Sequence, residues 1–231
     1  MLTFFLGVTL ALTVPAADTT YQQERTRMVQ EQIAARGVTD PAVLRAMRTV
    51  RRHHFVPGAP PELAYSDRPL PIGHGQTISQ PFIVAYMTQL AAPDPEDRAL
   101  EVGTGSGYQA AVLAEVVDSV YTIEIVPELA QTARQRLTRM GYDNVRVRTG
   151  DGYRGWPDRA PFDLIVVTAA PDQIPPPLIE QLADGGRMVI PVGPEGELQQ
   201  LTLITKTDGE ITRERITPVR FVPFQRNERR D

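Results

Sequence analysis

The feature that most constrains the fold is an alternation of short apolar segments with longer amphipathic ones in the second half of the chain. Buried strands are expected at residues 99–102, 119–125, 145–147, 162–168 and 187–191. Helical periodicity lies between them, at 108–117, 127–140 and 177–182. The 162–168 segment is apolar without alternation, which is typical of a strand covered on both faces. The pattern predicts an α/β fold with a doubly wound sheet that is parallel in its centre.

The segments outside this region add an edge hairpin and N-terminal helices. Residues 198–205 and 211–221 alternate in polarity around Asp208-Gly209, which predicts a mixed sheet with an antiparallel hairpin at one edge. Helices are predicted at 20–36, 41–49 and 82–90, and Asp40-Pro41 supplies an N-cap followed by proline at the first helical position. Residues 53–81 are rich in proline and glycine without sustained periodicity, which indicates a long loop that is either functional or disordered.

Composition narrows the class of protein. A length of 231 residues fits one large domain, and 42% hydrophobic residues are enough for a full core. The net charge of −4 disfavours nucleic acid and anionic membranes as partners. The absence of cysteine excludes disulfides, thiolate catalysis and cysteine-ligated zinc. The three histidines, His53, His54 and His74, fall in two separate segments, so no metal site is expected, and the basic run 48–54 is interpreted as a solvated helix end.

A glycine-rich loop joins the first strand of this region to the helix after it. Its glycines, Gly103, Gly105 and Gly107, let the backbone turn sharply and approach a ligand where a Cβ would clash. The helix behind the loop is expected to offer free N–H groups and a positive dipole end. The third glycine comes one residue too early for a dinucleotide fingerprint, and no lysine is placed for a phosphate-binding P-loop.

Two acidic residues follow the next two strands. Glu124 lies 21 residues after Gly103, where a carboxylate can accept hydrogen bonds from both ribose hydroxyls of a nucleoside. Asp151 lies between Gly150 and Gly152 after the third strand. Because the carboxyl ends of parallel strands meet at one edge of the sheet, these loops are expected to share one crevice. The sequence therefore predicts a nucleoside-binding site.

Several motifs together carry a resemblance to a known family. They are Gly73-His74-Gly75-Gln76-Thr77-Ile78-Ser79-Gln80-Pro81, Leu100-Glu101-Val102-Gly103-Thr104-Gly105-Ser106-Gly107-Tyr108, Gly150-Asp151-Gly152, Ala160-Pro161-Phe162-Asp163 and Val167-Thr168-Ala169-Ala170-Pro171. Over about residues 28–224 the chain resembles the protein-L-isoaspartate O-methyltransferases, whose fold is the Rossmann-like one of S-adenosylmethionine-dependent methyltransferases. The glycine loop is shared by many methyltransferases, whereas the 76–79 block and the 219–223 segment are far more particular.

The resemblance implies S-adenosylmethionine as methyl donor and the α-carboxylate of L-isoaspartyl residues in damaged proteins and peptides as acceptor, with no metal. The cofactor contacts that it implies are Gln76, Thr77, Ile78, Gly103, Thr104, Gly105, Glu124, Asp151 and Gly152. The substrate contacts that it implies are Thr77, Ile78, Ser79, Val219, Phe221 and Val222. Ser79 is the implied catalytic residue, and the backbone near 219–222 would pair with the peptide as an added strand. We expect a monomer that binds neither nucleic acid nor membrane.

The chemistry agrees with this interpretation. Methyl transfer from a sulfonium is an in-line displacement, and a carboxylate with a pKa of about 4 is already ionised at pH 7. Orientation can supply roughly 7–11 kcal/mol of barrier reduction, so a loop with hydroxyls and no base suffices. Two alternatives stay open: a methyltransferase of nucleic-acid bases, although Thr168-Ala169-Ala170-Pro171 does not resemble the N-P-P-[YF] loop of such enzymes, and a nucleoside-binding module without catalysis.

The N-terminal segment leaves the compartment open. Residues 2–14 form an apolar run, and Val14-Pro15-Ala16-Ala17 offers small residues for cleavage, although no Lys or Arg precedes the run. The run is short for a membrane span. A cytoplasmic enzyme is favoured because S-adenosylmethionine is made in the cytosol and because Met28 is a plausible start of the domain. If residues 1–16 act as a cleaved signal, the enzyme is instead exported to the periplasm. We expect an extension at 1–27, a methyltransferase domain at 28–225 and a polar tail at 226–231.

Overall fold

The computed structural model describes residues 16–227, and side chains from residue 19 onward. The α-helices are α1 Ala16–Arg27, α2 Pro41–Thr49, α3 Pro61–Ala64, α4 Pro81–Ala91, α5 Tyr108–Ala114, α6 Pro127–Arg139 and α7 Pro176–Glu180. The strands are β1 Leu70–Gly73, β2 Gln76–Ile78, β3 Arg98–Val102, β4 Ser119–Glu124, β5 Val145–Thr149, β6 Phe162–Val167, β7 Leu182–Val192, β8 Gln199–Thr207 and β9 Glu210–Val219. Every strand and helix predicted between residues 82 and 221 is present, with ends shifted by a few residues.

Seven strands form the main sheet, in the order β5-β4-β3-β6-β7-β8-β9. The five strands from β5 to β7 are parallel, and β8 and β9 are antiparallel to their neighbours. The chain leaves β3 toward β4 on one side and returns to β6 on the other, so β3 marks the topological switch point where ligands bind. The predicted doubly wound mixed sheet is confirmed.

The core lies on both faces of this sheet. Along β6, Leu164 and Val166 join one apolar cluster, whereas Phe162, Ile165 and Val167 join the other. This division explains why the strand shows no polar alternation in the sequence. The predicted edge hairpin is also present, because Asp208 and Gly209 both adopt positive φ angles, 51° and 78°, as a tight turn between twisted strands requires.

Helix α2 and the turn that follows α1 pack against α4 through buried apolar side chains. Asp40 caps α2 as predicted, since its carboxylate accepts hydrogen bonds from the N–H groups of Ala42 and Val43 at 2.8 and 3.1 Å. Helix α1 continues into a π-helical turn, Met28–Ile33, that places Met28 in the core. The apolar run at residues 2–14 lies outside the described residues. None of the helices described between 16 and 227 is long and apolar enough to cross a membrane.

The prediction of an irregular loop over residues 53–81 is wrong. The region contains a 3₁₀ helix, Arg52–Phe55, helix α3, and an antiparallel hairpin of β1 and β2. Gly73, His74 and Gly75 all have positive φ angles and form its turn. The strands have only four and three residues, which is too short for a period-two pattern to be visible in the sequence.

The interpretation of residues 48–54 as a solvated helix end is wrong for Arg52. Its side chain is fully buried, its Nε donates to the carbonyl of Ala64 at 2.9 Å, and its guanidinium lies 4.8 Å from the centre of the Tyr108 ring. Burial lowers the pKa of Arg52, while Tyr108 opposes that shift. The arginine therefore ties the 52–64 region to the start of α5, directly behind the glycine loop.

Candidate active site

The glycine loop after β3 has the close contacts that its composition predicts. Gly103, Gly105 and Gly107 have φ angles of 100°, 51° and 87°. A Cβ on Gly103 would lie 2.4 Å from the hydroxyl oxygen of Thr168, and one on Gly105 would lie 3.2 Å from Ile72 of the β1–β2 hairpin. Glycine is therefore required here by both backbone conformation and space.

Most N–H groups of this loop are already used by the protein. Those of Gly103 and Thr104 donate to the carbonyl of Ile123 at 2.8 and 3.2 Å, and that of Gly107 donates to the carbonyl of Thr104 at 2.8 Å. The N–H of Gly105 donates to Glu124 Oε2 at 2.7 Å. These four donors are therefore not available to a ligand, and the glycines of the loop instead permit close approach of the backbone.

Glu124 occupies the end of β4, facing the same loop. Its side chain is buried, and its two carboxylate oxygens accept from separate backbone donors: Oε2 from Gly105, and Oε1 from the N–H of Val126 at 3.0 Å. These bonds fix the plane of the carboxylate, while each oxygen keeps a second lone pair. Such a carboxylate can accept two hydroxyl groups of one ribose.

A cleft opens beside the glycine loop at the carboxyl ends of the strands. Its lining residues are Gln76, Thr77, Val102, Gly103, Gly105, Ile123, Glu124, Ile125, Gly152, Thr168, Ala169, Val222, Pro223, Phe224 and Gln225. Thr104 and Asp151 do not line it. Thr104 is buried behind the loop, and Asp151 caps a 3₁₀ turn by accepting from the Tyr153 N–H at 3.0 Å. Arg226 approaches the same carboxylate at 3.7 Å.

The C-terminal segment forms one wall of the cleft. Val222 accepts a hydrogen bond from the Ala170 N–H, and the Phe224 N–H donates to the Ala170 carbonyl, both at 2.9 Å. A Cβ on Gly152 would lie 3.5 Å from the Phe224 ring, which shows how closely this wall lies over the 150–152 loop. Phe224 was not among the predicted site residues. The only available signal was its position just after the particular 219–223 segment.

A second, larger cavity of about 590 Å³ lies on the other side of Thr77. Its walls come from the 76–83 region and from the chain that follows β9. The predicted substrate residues Ser79, Val219, Phe221 and Val222 all line this groove. Ile78 does not: its side chain is buried in the core and faces a small cavity of about 30 Å³ next to the glycine loop.

The cleft and the groove meet at three residues. Thr77, Thr168 and Val222 line both cavities, and Ser79 lines the groove and the small cavity beside them. Thr168 is held in place because its hydroxyl donates to the carbonyl of Gly103 at 2.7 Å. The Ser79 side chain does not cap α4, whose N-cap is Gln80. Its hydroxyl makes no hydrogen bond to another part of residues 16–227, so it is available to a ligand.

Glu101 forms a buried polar network behind the loop. Its Oε2 accepts from the Thr122 hydroxyl, which lies 2.5 Å from the Thr104 hydroxyl, while Oε1 has no hydrogen-bond partner in the described chain. Burial raises the pKa of Glu101 to about 8, against the hydrogen bond from Thr122, and the charge of Glu124 raises it further. The carboxyl group is therefore protonated at neutral pH.

Glu101→Gln is expected to remove a pH dependence of folding stability. Because the folded-state pKa of about 8 lies above the ordinary 4.5, the folded protein keeps a proton that the unfolded chain releases. The free energy of unfolding should therefore fall by up to about 1.4 kcal/mol per pH unit as the pH rises through this window. Denaturant titrations of both proteins across the window measure it. An equal slope in wild type and variant contradicts the assignment.

No group of three or more histidine, aspartate or glutamate side chains within residues 16–227 is placed to hold a metal ion. His53 is instead part of an aromatic cluster, with its ring stacked on Tyr21 at 3.9 Å and its Nδ1 2.7 Å from the hydroxyl of Tyr65. His74 lies at the turn of the β1–β2 hairpin.

Comparison with known proteins gives one consistent family. The model of the family described as protein-L-isoaspartate(D-aspartate) O-methyltransferase matches residues 23–229. A protein-L-isoaspartate O-methyltransferase of Gloeobacter violaceus is 61% identical over 199 residues, covering 86% of this chain and 97% of the relative. One from Opitutus terrae is 57% identical over 221 residues, covering 94% and 95%.

A solved structure agrees with the sequence relatives. A Plasmodium falciparum protein assigned as a protein-L-isoaspartate O-methyltransferase, in complex with S-adenosyl-L-homocysteine, is similar to this chain with a TM-score of 0.76 and 27% identity. The similarity covers 90% of this chain and 99% of that one. The fold, the cleft beside the glycine loop and these relatives lead to one conclusion. The chain belongs to the protein-L-isoaspartate(D-aspartate) O-methyltransferase family of S-adenosylmethionine-dependent protein-repair enzymes.

Proposed function

We propose that the cleft of this repair methyltransferase binds S-adenosylmethionine, that the groove binds the isoaspartyl peptide, and that methyl transfer occurs where the two meet. The observation that carries this proposal is the shared lining of the two cavities by Thr77, Thr168 and Val222. A nucleoside in the cleft and a peptide in the groove then approach each other only at this junction. Ser79 lies beside it, with its hydroxyl available.

The cofactor residues divide by what they offer. Glu124 accepts the ribose hydroxyls, and Gly103, Gly105 and Gly152 allow the backbone to lie close to the nucleoside. Gln76 and Thr77 cover the cleft from the hairpin side. Three further residues act from behind the surface of the cleft. Asp151 shapes the 151–154 turn, and Thr104 fixes the glycine loop. Ile78 anchors the hairpin in the core.

The reaction is an in-line displacement at the methyl carbon. An oxygen of the isoaspartyl α-carboxylate forms a bond to the methyl group while the carbon–sulfur bond breaks and its electron pair goes to sulfur. The products are a methyl ester and S-adenosylhomocysteine, and no proton needs to move. The protein therefore aligns the carboxylate rather than activating it. We assign this alignment to the Ser79 hydroxyl, which donates a hydrogen bond to the carboxylate.

The peptide binds along the segment that follows β9. This strand is the edge of the sheet, and the backbone N–H and carbonyl of Arg220, just beyond it, make no hydrogen bond to other parts of the described chain. An extended peptide can pair with such a backbone as an added strand. The side chains of Val219, Phe221 and Val222 then form the apolar floor on which the peptide lies.

One assay tests the function. The protein is incubated with methyl-labelled S-adenosylmethionine and one of three acceptors: an isoaspartyl peptide, its aspartyl twin or RNA. Label on the isoaspartyl peptide alone is the expected result, because only that peptide presents an α-carboxylate on a side branch. Label on RNA would indicate a nucleic-acid methyltransferase, and cofactor binding without any transfer would indicate a binding module.

Ser79→Ala is expected to lower kcat by about 10- to 100-fold, since a hydrogen bond to a charged group contributes about 1.5–3 kcal/mol. The dissociation constant of S-adenosylmethionine, measured by calorimetry, should change little. Ser79→Thr retains a hydroxyl and should keep part of the activity. An alanine variant with full turnover would show that the hydroxyl only builds the loop.

We further propose that the enzyme is a cytoplasmic monomer that binds neither nucleic acid nor membrane, with its methyltransferase domain at residues 28–225, an extension at 1–27 and a polar tail at 226–231. Met28 and Val29 are fully buried, which supports residue 28 as the start of the methyltransferase domain. The alternative location is the periplasm, if residues 1–16 act as a cleaved signal. N-terminal sequencing of the protein from its host decides this: a chain that begins near Ala17 means export.

A further inference from the structure

The substrate groove has an unbalanced charge. Its lining residues are Arg36, Pro69, Thr77, Ser79, Gln80, Phe82, Ile83, Thr168, Leu198, Thr217, Pro218, Val219, Arg220, Phe221 and Val222. Two of these side chains are positively charged, and none is an aspartate or a glutamate. The whole chain carries a net charge of −4, so this positive groove is not a consequence of overall composition. The positive charge of the groove therefore depends on its two arginines and on whether each of them is paired with an acidic side chain.

Arg36 is occupied by a structural role. Its guanidinium forms a salt bridge with Asp67 and lies 3.6 Å from the centre of the Phe82 ring. Asp67 also accepts hydrogen bonds from the Phe82 N–H at 2.9 Å and from the Gln80 side chain at 3.2 Å. Arg36 thus holds the start of α4 next to the 76–80 loop, and its charge is compensated.

Arg220 has no such compensation. Its side chain is exposed, and it forms no ion pair or hydrogen bond with any side chain between residues 19 and 227. It follows directly on Val219, at the end of the edge strand, where the peptide substrate is expected to lie. Arg220 lines the groove but neither the cofactor cleft nor the small cavity beside Ser79, so its charge lies away from the point of methyl transfer.

Next to Arg220, just beyond the paired residues Gln199 and Val219, the groove presents an apolar side chain to solvent. Leu198 has 63% of its surface exposed and is the one large hydrophobic residue that is exposed in the described part of the chain. Leu198 and Arg220 thus give the outer part of the groove one apolar and one cationic contact.

We propose that Arg220 makes this enzyme selective for isoaspartyl sites with an acidic side chain nearby in the sequence, a flanking residue rather than the methylated carboxylate. This inference rests on the proposed function, because it assumes that the groove binds the isoaspartyl peptide. The physical basis is a partly exposed ion pair, which contributes about 0.2–1 kcal/mol. That range corresponds to a preference of about 1.4- to 5-fold in kcat/KM for each acidic contact.

The experiment compares isoaspartyl peptides that differ only at two positions, the residue just before the isoaspartyl site and the residue just after it. One series carries glutamine at these positions, one glutamate and one lysine. The ratio of kcat/KM for the glutamate peptide to that for the glutamine peptide is measured in wild type, Arg220→Gln and Arg213→Gln. Arg213 is a matched control, because it is an exposed arginine on β9 that does not line the groove.

The expected result is a ratio above one in wild type and in the Arg213 variant, and a ratio close to one in the Arg220 variant. Added salt should lower the ratio only where Arg220 is present. A wild-type ratio of one or below overturns the proposal. So does an equal loss for all three peptides in Arg220→Gln, because that result would place the guanidinium on the isoaspartyl carboxylate itself. Failure of wild type to methylate even the glutamine peptide would instead refute the proposed function.

Discussion

Gly103→Ala is expected to reduce the affinity for S-adenosylmethionine by about 30-fold or more, and methylation with it. The residue has a φ angle of 100°, and a methyl group there would lie 2.4 Å from the hydroxyl oxygen of Thr168. A left-handed conformation costs an alanine about 1–2 kcal/mol, and overpacking adds about 1–3 kcal/mol. The loop can relieve both only by moving, and its movement displaces the surface that the nucleoside must approach.

Gly37→Ala separates the cost of the left-handed backbone conformation from the cost of overpacking. Gly37 has a φ angle of 93°, but a Cβ there has no neighbour within 4 Å. This control should lose about 1–2 kcal/mol of stability and keep its cofactor affinity. Isothermal calorimetry gives the affinities, and thermal unfolding shows whether each variant is folded. If folded Gly103→Ala binds the cofactor as wild type does, the cleft beside residues 103–107 is not the cofactor site.

Glu124→Ala is expected to weaken cofactor binding by about 1–3 kcal/mol, or roughly 5- to 150-fold, because the ribose hydroxyls lose their acceptor. The variant should also be less stable without cofactor. The carboxylate accepts from the N–H groups of Gly105 and Val126, and its removal leaves both of these partly buried donors without their partner. The expected phenotype therefore combines lower affinity with lower stability.

Glu124→Gln serves to separate the two effects. The amide oxygen can still accept from one backbone N–H, whereas the amide nitrogen would face the other donor. We expect an intermediate loss of stability and a loss of affinity close to that of the alanine variant. Calorimetry with S-adenosylhomocysteine measures affinity without turnover. Wild-type affinity in both variants would remove Glu124 from the ribose site and leave it only a structural role.

The sequence predicted the sheet well because its strands carry local signals. Each central strand is an apolar segment bounded by turn residues, and Asp208-Gly209 marks the edge hairpin directly. The glycine loop and Glu124 were also predictable, since both lie at strand ends, and strand ends of a parallel sheet share one edge. These inferences needed only periodicity and the order of elements along the chain.

Other features left no local signal. The β1–β2 strands are too short for a visible pattern, and Arg52 is a charged residue whose burial depends on Tyr108 and Ala64, far from it in sequence. The hydrogen bonds from the N–H groups of the glycine loop to Ile123 and Glu124 could not be predicted, because a loop sequence does not show its hydrogen-bond partners.

By itself the sequence determined a doubly wound sheet and a family resemblance, and it predicted a nucleoside-binding crevice beyond the carboxyl ends of the strands, because these depend on residue spacing within single segments. Only the tertiary structure decided that Thr77, Thr168 and Val222 line two cavities at once, that Phe224 lines the cleft beside the glycine loop, and that Arg220 is the uncompensated charge of the groove. Such contacts join segments distant in the chain. They depend on how helices and strands pack, which no short stretch of sequence specifies.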